Sequence, residues 1–325
     1  MSFLSRPPVS SFAMVMGLCG LALVWARVAQ LGWIPDLAPG LARAAALLAA
    51  FVFTLLLLLY LRKWIAQPSL VREEWAHPVK SSFFAAISVS FALLGTVALG
   101  VFAPLALALW SIGALLQVVV MILVLNAWFH RESFQPAHAN PAWFIPAVAN
   151  VVLPLAGVRL GFEEFSWWFF GVGLLFWIVL MSVVMDRLLF VQPPLPDRLL
   201  PTLCILLAPP TVGFLSWVQL TKQHPDGQGM DGVGQLLFGL GVFFALFLLS
   251  QVRRFIRLPF FMSWWAFSFP TAAFTTSVLV YGQFMPAPWV TPLGGLMVLI
   301  TTVLILFLLV RTALAIARRE TQWVD

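Results

Sequence analysis

Charge is what this 325-residue chain has least of: 9% of its residues are Asp, Glu, Lys or Arg, against 62% apolar ones. A soluble domain carries about 25% charged residues, so a soluble fold is excluded and the chain reads as a polytopic membrane protein. Cysteine is nearly absent too. Cys19 and Cys204 both fall inside apolar runs, in neither metal-ligand nor disulfide spacing, and each reads as a small hydrophobe. No Asp, Glu, Lys, Arg or His occupies the central part of any apolar run, and that gap removes whole classes of function. A proton-coupled pump needs a titratable relay. An intramembrane metalloprotease or lipid transferase needs His/Glu or Asp clusters, and a retinal-type receptor needs a mid-membrane lysine. His77, His130, His138 and His224 lie in loops or at rims, and Asp186 and Arg187 at the end of a run, where they would cap or snorkel. Neither a metal nor a cofactor is expected. The formal charge of +6 is scattered between apolar runs, with no basic stripe carrying interleaved aromatics, so nucleic acid is not an expected partner.

What the chain does have is long apolar runs. Stretches of membrane-crossing length, roughly 18 to 25 residues, fall at 11–30, 41–62, 79–101, 105–129, 142–161, 166–190, 199–220, 233–252, 260–282 and 292–315. They predict an all-α integral membrane fold of ten transmembrane helices, one domain over 1–325, in contact with the lipid bilayer throughout. The N-terminal MSFLSRPPVSS precedes no small-residue cleavage site, so the first run is expected to be a retained helix. An even number of spans puts both termini on one side. That side holds 14 of the 18 Lys and Arg residues: Arg6, Arg62, Lys63, Arg72, Lys80, Arg131, Arg187, Arg198, Arg253, Arg254, Arg257, Arg311, Arg318 and Arg319. Arg27, Arg43, Arg159 and Lys222 remain for the other face. The excess predicts cytoplasmic termini in a plasma membrane. It also predicts a cytoplasmic basic rim at Arg187, Arg253, Arg254 and Arg257, whose combined charge would draw anions.

Odd and even runs differ in character. Interior prolines occur at Pro146 and Pro154 in the fifth, Pro209 and Pro210 in the seventh and Pro270 in the ninth, whereas even runs have proline only at their starts, as Pro104 and Pro292. Gly17, Gly20, Ser88, Asn150 and Thr211 also fall in odd runs, while even runs are richer in uninterrupted Leu, Val and Phe. This alternation predicts five helical hairpins, each with a kinked inner member and a straight outer one, although the letters show no repeat. The run FFMSWWAFSFPTAAFTTSVLVYG, from Phe260 to Gly282, has Pro270 near its middle. There proline would cost about 3 kcal/mol in a regular helix, which lipid tolerates only where neighbours or a wet cavity satisfy the freed carbonyl. The run reads either as a kinked packing helix or as the lining of a pore. A pore with uncharged walls would bind no ion tightly and so pass ions quickly with modest discrimination. Backbone amides and half-helix N-termini exposed to it would favour anions.

Five segments carry a resemblance: FAMVMGLCGLALVW at 12–25, HPVKSSFF at 77–84, NPAWFIPAVANVV at 140–152, LLAPPTVG at 206–213 and SWWAFSFPTA at 263–272. They cover all five odd runs in order, and the chain resembles the TehA/slow-anion-channel family, also described as tellurite-resistance, C4-dicarboxylate or malate transporter proteins. The resemblance implies a homotrimer in which each protomer has its own pore of five inner helices, occluded by a phenylalanine of the ninth. The family pattern WWA(Y/F)(S/T)FP puts that gate at Phe269, with Phe267 as its competitor. Ala13, Gly17, Gly20, Ser88, Pro146, Asn150, Pro209, Pro210, Pro270 and Thr271 are the implied pore-lining or kink positions. One departure stands out: where family members often have FGIPxG, this chain has FAMVMG, so Ala13 and Val15 stand for a glycine and a proline. Short stretches outside the first and last runs predict no kinase-controlled tail. The expected function is a gated channel for small inorganic anions such as chloride or nitrate, in a bacterial inner membrane. The alternative is a secondary transporter of dicarboxylates, sulfite or tellurite-related oxyanions. An enzyme is not expected, because no nucleophile and base can be placed in one cavity.

Overall fold

A computed structural model describes residues 6–223 and 229–318; His224 and Arg319 lie outside the described residues. Ten long helical stretches follow one another: α1 (Val9–Gln30), α2 (Ala38–Ala66), α3 (Lys80–Ala98), α4 (Ala103–His130), α5 (Pro141–Gly157), α6 (Glu163–Phe190), α7 (Leu200–Leu220), α8 (Gly232–Ser250), α9 (262–284) and α10 (Val290–Ala317). Two short helices, Pro68–Ala76 and Val252–Phe255, occupy what the sequence suggests are plain connections. Among the described residues, eight helices are long and apolar enough to cross a membrane. The two others are α5, which is short, and α9, whose apolar character is diluted by Trp, Ser, Thr and Pro.

The even helices are continuous α-helix, and the odd ones are not. Each odd helix opens in 3₁₀ form, at Val9–Phe12, Lys80–Phe84, Pro141–Trp143, Leu200–Leu207 and Met262–Phe267. It then turns α at Ala13, Ala85, Phe144, Ala208 and Ser268 respectively. The third α residue is Val15, Ile87, Pro146, Pro210 and Pro270 in the five cases. Pro270 is therefore not a mid-helix kink but a first-turn residue of the α segment, where a missing N–H costs least. Val15 stands at the same place in α1, which is where the resembling family has its proline. Directly after two of the prolines a threonine hydroxyl adds a hydrogen bond to a carbonyl of the preceding turn. Thr211 Oγ1 donates to the Leu207 carbonyl (2.8 Å) and Thr271 Oγ1 to the Phe267 carbonyl (2.6 Å), each three residues before the proline.

Helix α1 packs on α3, α3 on α5, α5 on α7, α7 on α9 and α9 back on α1, and each odd helix also packs on the even helix that follows it. Burial divides accordingly: 72–83% of the apolar window is buried in α1, α3 and α7, but only 22–33% in α2, α4, α6, α8 and α10. The outer faces of the even helices expose large apolar side chains such as Leu58, Leu115, Ile178, Leu246 and Leu299, a surface suited to lipid. Polar contacts are internal. Gln117 of α4, 1% exposed, accepts from Ser88 Oγ of α3 (2.7 Å) and donates to the Pro146 carbonyl of α5 (2.8 Å), pinning three helices together. Small residues let α3 and α4 touch backbone to backbone: a Cβ on Gly95 would sit 2.9 Å from the Trp110 nitrogen and 3.1 Å from the Ala106 oxygen.

Gly95→Ala should therefore force α3 and α4 apart and lower the thermal unfolding midpoint of the detergent-solubilised protein, at a cost of about 1–3 kcal/mol. Gly40→Ala, where nothing lies within 4 Å of the added carbon, should leave the midpoint unchanged.

Candidate functional site

Two cavities lie within the ring of odd helices. The larger, about 450 Å³, is lined from the C-terminal portions of all five: Gly20 and Leu23, Leu93 and Thr96, Leu155 and Val158, Val212 and Leu215, and Ala273 and Thr276 among others. The smaller, about 40 Å³, is lined from their N-terminal portions, including Ala13 and Met16, Phe83, Ile145 and Val148, Ile205 and Ala208, and Trp265 and Ala266. One residue lines both. Phe269, 5% exposed, borders each of them. Beside it α1 and α9 approach closely, with Gly17 facing Ser268 and Gly20 facing Ala272. A Cβ on Gly20 would lie 2.7 Å from Ala272 Cβ and 3.6 Å from the Phe269 ring.

The other expected site residues divide clearly. Ala13 and Pro270 line the smaller cavity and Gly20 the larger. Gly17 instead faces Ser268 and Trp265 of α9, where it permits close packing. Ser88 is engaged by Gln117, and Asn150 Nδ2 donates to the Pro146 carbonyl (2.8 Å). Pro209, Pro210 and Thr271 belong to the 3₁₀-to-α junctions and line neither cavity. Phe267 points elsewhere: its ring packs edge-on against Phe255 (5.0 Å) and Trp264 (5.6 Å).

The basic residues need one correction. Arg253, Arg254 and Arg257 are exposed on and just after Val252–Phe255, but Arg187 is 3% exposed and does not form part of a solvent-facing rim. Its guanidinium donates to the carbonyls of Ala137 (3.0 Å), Val191 (2.8 Å) and Pro193 (2.8 Å), clamping two loops. Lys63 is likewise buried, paired with Glu74 at 2.8 Å, and Tyr60 donates to the same carboxylate (2.9 Å). On the same face, burial holds the His77 imidazolium below its ordinary pKa, and the charge of Lys80 pushes the same way.

The cations that line the larger cavity are three of the four assigned by the sequence to the poorer face. Arg27, Arg159 and Lys222 line the larger cavity beside Gln30, Gln219 and Gln223, and among the described residues no Asp or Glu lines it. The signal was in the letters: each follows the apolar part of an odd run. Arg27 is gripped by neutral partners, donating to Gln30 Oε1 (3.0 Å) and to Gln283 Oε1, while its Nε is buried without a partner. Lys222 is the one non-glycine residue with positive φ among the described residues (51°), and it pairs with Glu163 at 2.8 Å in an exposed position. Among the described residues no group of three or more His, Cys, Asp or Glu side chains could hold a metal ion.

An all-helical chain with eight helices of membrane-crossing length and apolar character among the described residues, apolar outer faces and cavities within, defines an integral membrane protein of the channel or transporter type. The chain belongs to the voltage-dependent anion channel family, whose profile it matches over residues 6–313. It is similar to an uncharacterized transporter of Methanocaldococcus jannaschii (29% identical, 85% of this chain and 84% of that protein). It is also similar to the tellurite resistance protein TehA homologue of Haemophilus influenzae (26%, 84% and 81%) and to the guard cell S-type anion channel of Arabidopsis thaliana (24%, 96% and 56%).

Arg187→Gln should lower the thermal unfolding midpoint by an amount corresponding to about 2 kcal/mol or more, since hydrogen bonds to a charged donor are worth about 1.5–3 kcal/mol each. The salt dependence of anion flux should stay as in the wild type, which is the outcome a rim role for Arg187 would not give.

Proposed function

We propose that this protein is a gated channel for small monovalent anions such as chloride and nitrate. The path runs through both cavities and is closed by Phe269. In this reading the ten helices form five hairpins, with the odd members inside and the even members facing lipid. Both termini are cytoplasmic in a bacterial plasma membrane, and three protomers associate, each with its own path. The observation that carries the proposal is the position of the Phe269 ring as the shared wall of two cavities that draw on all five odd helices. A constriction of apolar side chains stops ions by excluding water, and the low charge of the walls lets an admitted ion leave again. Anion preference follows from the direction of the inner helices. Their N-terminal portions converge on the smaller cavity, so the positive ends of their dipoles face the narrow part.

A second reading has one observation in its favour. A carrier of dicarboxylates, sulfite or other oxyanions needs fixed cations at its substrate site, and Arg27, Arg159 and Lys222 line the larger cavity. Flux separates the two. A channel gives currents that grow with voltage and do not saturate at low millimolar anion, whereas a carrier gives slow, saturable exchange.

In planar bilayers, Phe269→Ala should raise chloride or nitrate conductance about tenfold or more, because a methyl group cannot keep the constriction dry. Phe267→Ala should leave conductance at the wild-type level; the reverse pattern would transfer the gate to Phe267. Joint neutralisation of Arg253, Arg254 and Arg257 should reduce anion current at low ionic strength and have little effect at 0.1 M salt and above, where screening acts over about 10 Å.

A further inference from the structure

The larger cavity is far roomier than a halide or nitrate needs. Its volume of about 450 Å³ lies in the range of small-molecule sites, which are largely apolar with a few placed polar groups. Below the mouth its wall is apolar, with Leu23, Leu93, Leu155, Val212, Leu215 and Val280, and it ends on the Phe269 ring. Among the described lining residues the charged ones, Arg27, Arg159 and Lys222, are all cations and stand at the mouth. Arg159 and Lys222 are exposed there, and the Lys222–Glu163 pair is solvent-facing, a setting in which an ion pair holds its partner weakly. Arg27 differs from both. Of the five N–H groups a guanidinium carries, one donates to Gln30 and one to Gln283, and the buried Nε has no partner. No carboxylate pairs with Arg27 among the described residues. Two neutral amides thus fix the plane of a cation whose charge is unanswered, and a guanidinium held in this way is suited to bidentate capture of a carboxylate.

We propose that this vestibule is a binding site for an amphipathic monocarboxylate. Its carboxylate is taken by Arg27 at the mouth, and its short alkyl chain lies along the apolar wall toward Phe269, so that occupancy blocks the path from that side. The blocking part rests on the reading of the two cavities as one anion path; the binding part does not.

Hexanoate is the probe, with acetate and hexanol as comparators. Binding is read first, as a shift of the thermal unfolding midpoint of the full-length protein in detergent. Hexanoate should raise the midpoint at concentrations about tenfold or more below those acetate requires, because each added methylene gains from burial. Hexanol should not raise it. Arg27→Gln should weaken the hexanoate effect about tenfold or more, and Arg27→Lys should restore part of it. Equal shifts with hexanol, or an undiminished shift in a folded Arg27→Gln protein, would overturn the site. If Arg27→Gln fails to fold, Arg159→Gln combined with Lys222→Gln serves in its place, and an unchanged hexanoate affinity at low salt would count against the proposal. Block is read second, in bilayers carrying Phe269→Ala. Hexanoate should reduce the current from one face only, and block from both faces alike would overturn it. A hexanoate shift without any anion current in Phe269→Ala would leave the site standing and remove the channel reading instead.

Discussion

Hydrocarbon offers no hydrogen-bond partner, so every N–H and C=O within the bilayer has to be answered by the protein itself. Much of this architecture follows from that constraint. The irregular backbone, five 3₁₀ openings and the prolines at three of the α starts, is confined to the helices that are most buried. The even helices, which expose their apolar faces, are uninterrupted α with all interior groups paired along the helix. Side chains add hydrogen bonds to carbonyls of these segments: Thr211 and Thr271 from the next turn, and Gln117 reaching across from α4. The even helices thus cover irregular segments and, through Gln117, hydrogen-bond to one of them.

Much of the arrangement was legible in the sequence because polarity and proline follow the same constraint. Residues that disturb a helix or prefer water accumulate in odd runs, and packing then puts those runs in the interior. The alternation matches the greater burial of α1, α3 and α7 relative to the even helices, even though no repeat could be read from the letters. What the letters hid was the local form. Pro146, Pro210 and Pro270 look like interruptions because hydropathy does not distinguish 3₁₀ from α, whereas each falls at the third residue of an α segment. The same blindness applies to the third positions in α1 and α3, where Val15 and Ile87 carry no proline to mark the junction. Recurrence of the 3₁₀-to-α switch at all five is the repeat that sequence identity fails to show.

The site was legible in part, and for a physical reason. The WWAFSFP segment fixes which phenylalanine precedes the proline, and in the structure that ring, Phe269, adjoins both cavities while Phe267 packs outward on Phe255. Charges were harder to read. Counting Lys and Arg by face measures topology and says nothing of where a side chain ends. Arg187 counts toward the richer face yet is buried and donates to three carbonyls, and Lys63 is neutralised by Glu74. Arg27, Arg159 and Lys222 count toward the poorer face yet border the larger of the two cavities that adjoin Phe269.

That distribution has a further electrostatic consequence. Five inner helices running in the same direction add their dipoles, with positive ends toward the smaller cavity and negative ends toward the larger one. Left alone, the carbonyl ends would repel an anion from the wider mouth. Arg27, Arg159 and Lys222 stand at or just beyond the C-terminal ends of α1, α5 and α7, where a cation both stabilises the helix end and cancels its partial charge. In the channel reading proposed above, with those ends neutralised, an anion would meet an attractive potential at one end of the protein and no repulsive one at the other. The barrier between the cavities would then be steric and dehydrating rather than electrostatic. A barrier of that kind could be raised or lowered by turning one ring, without moving any charge within the membrane.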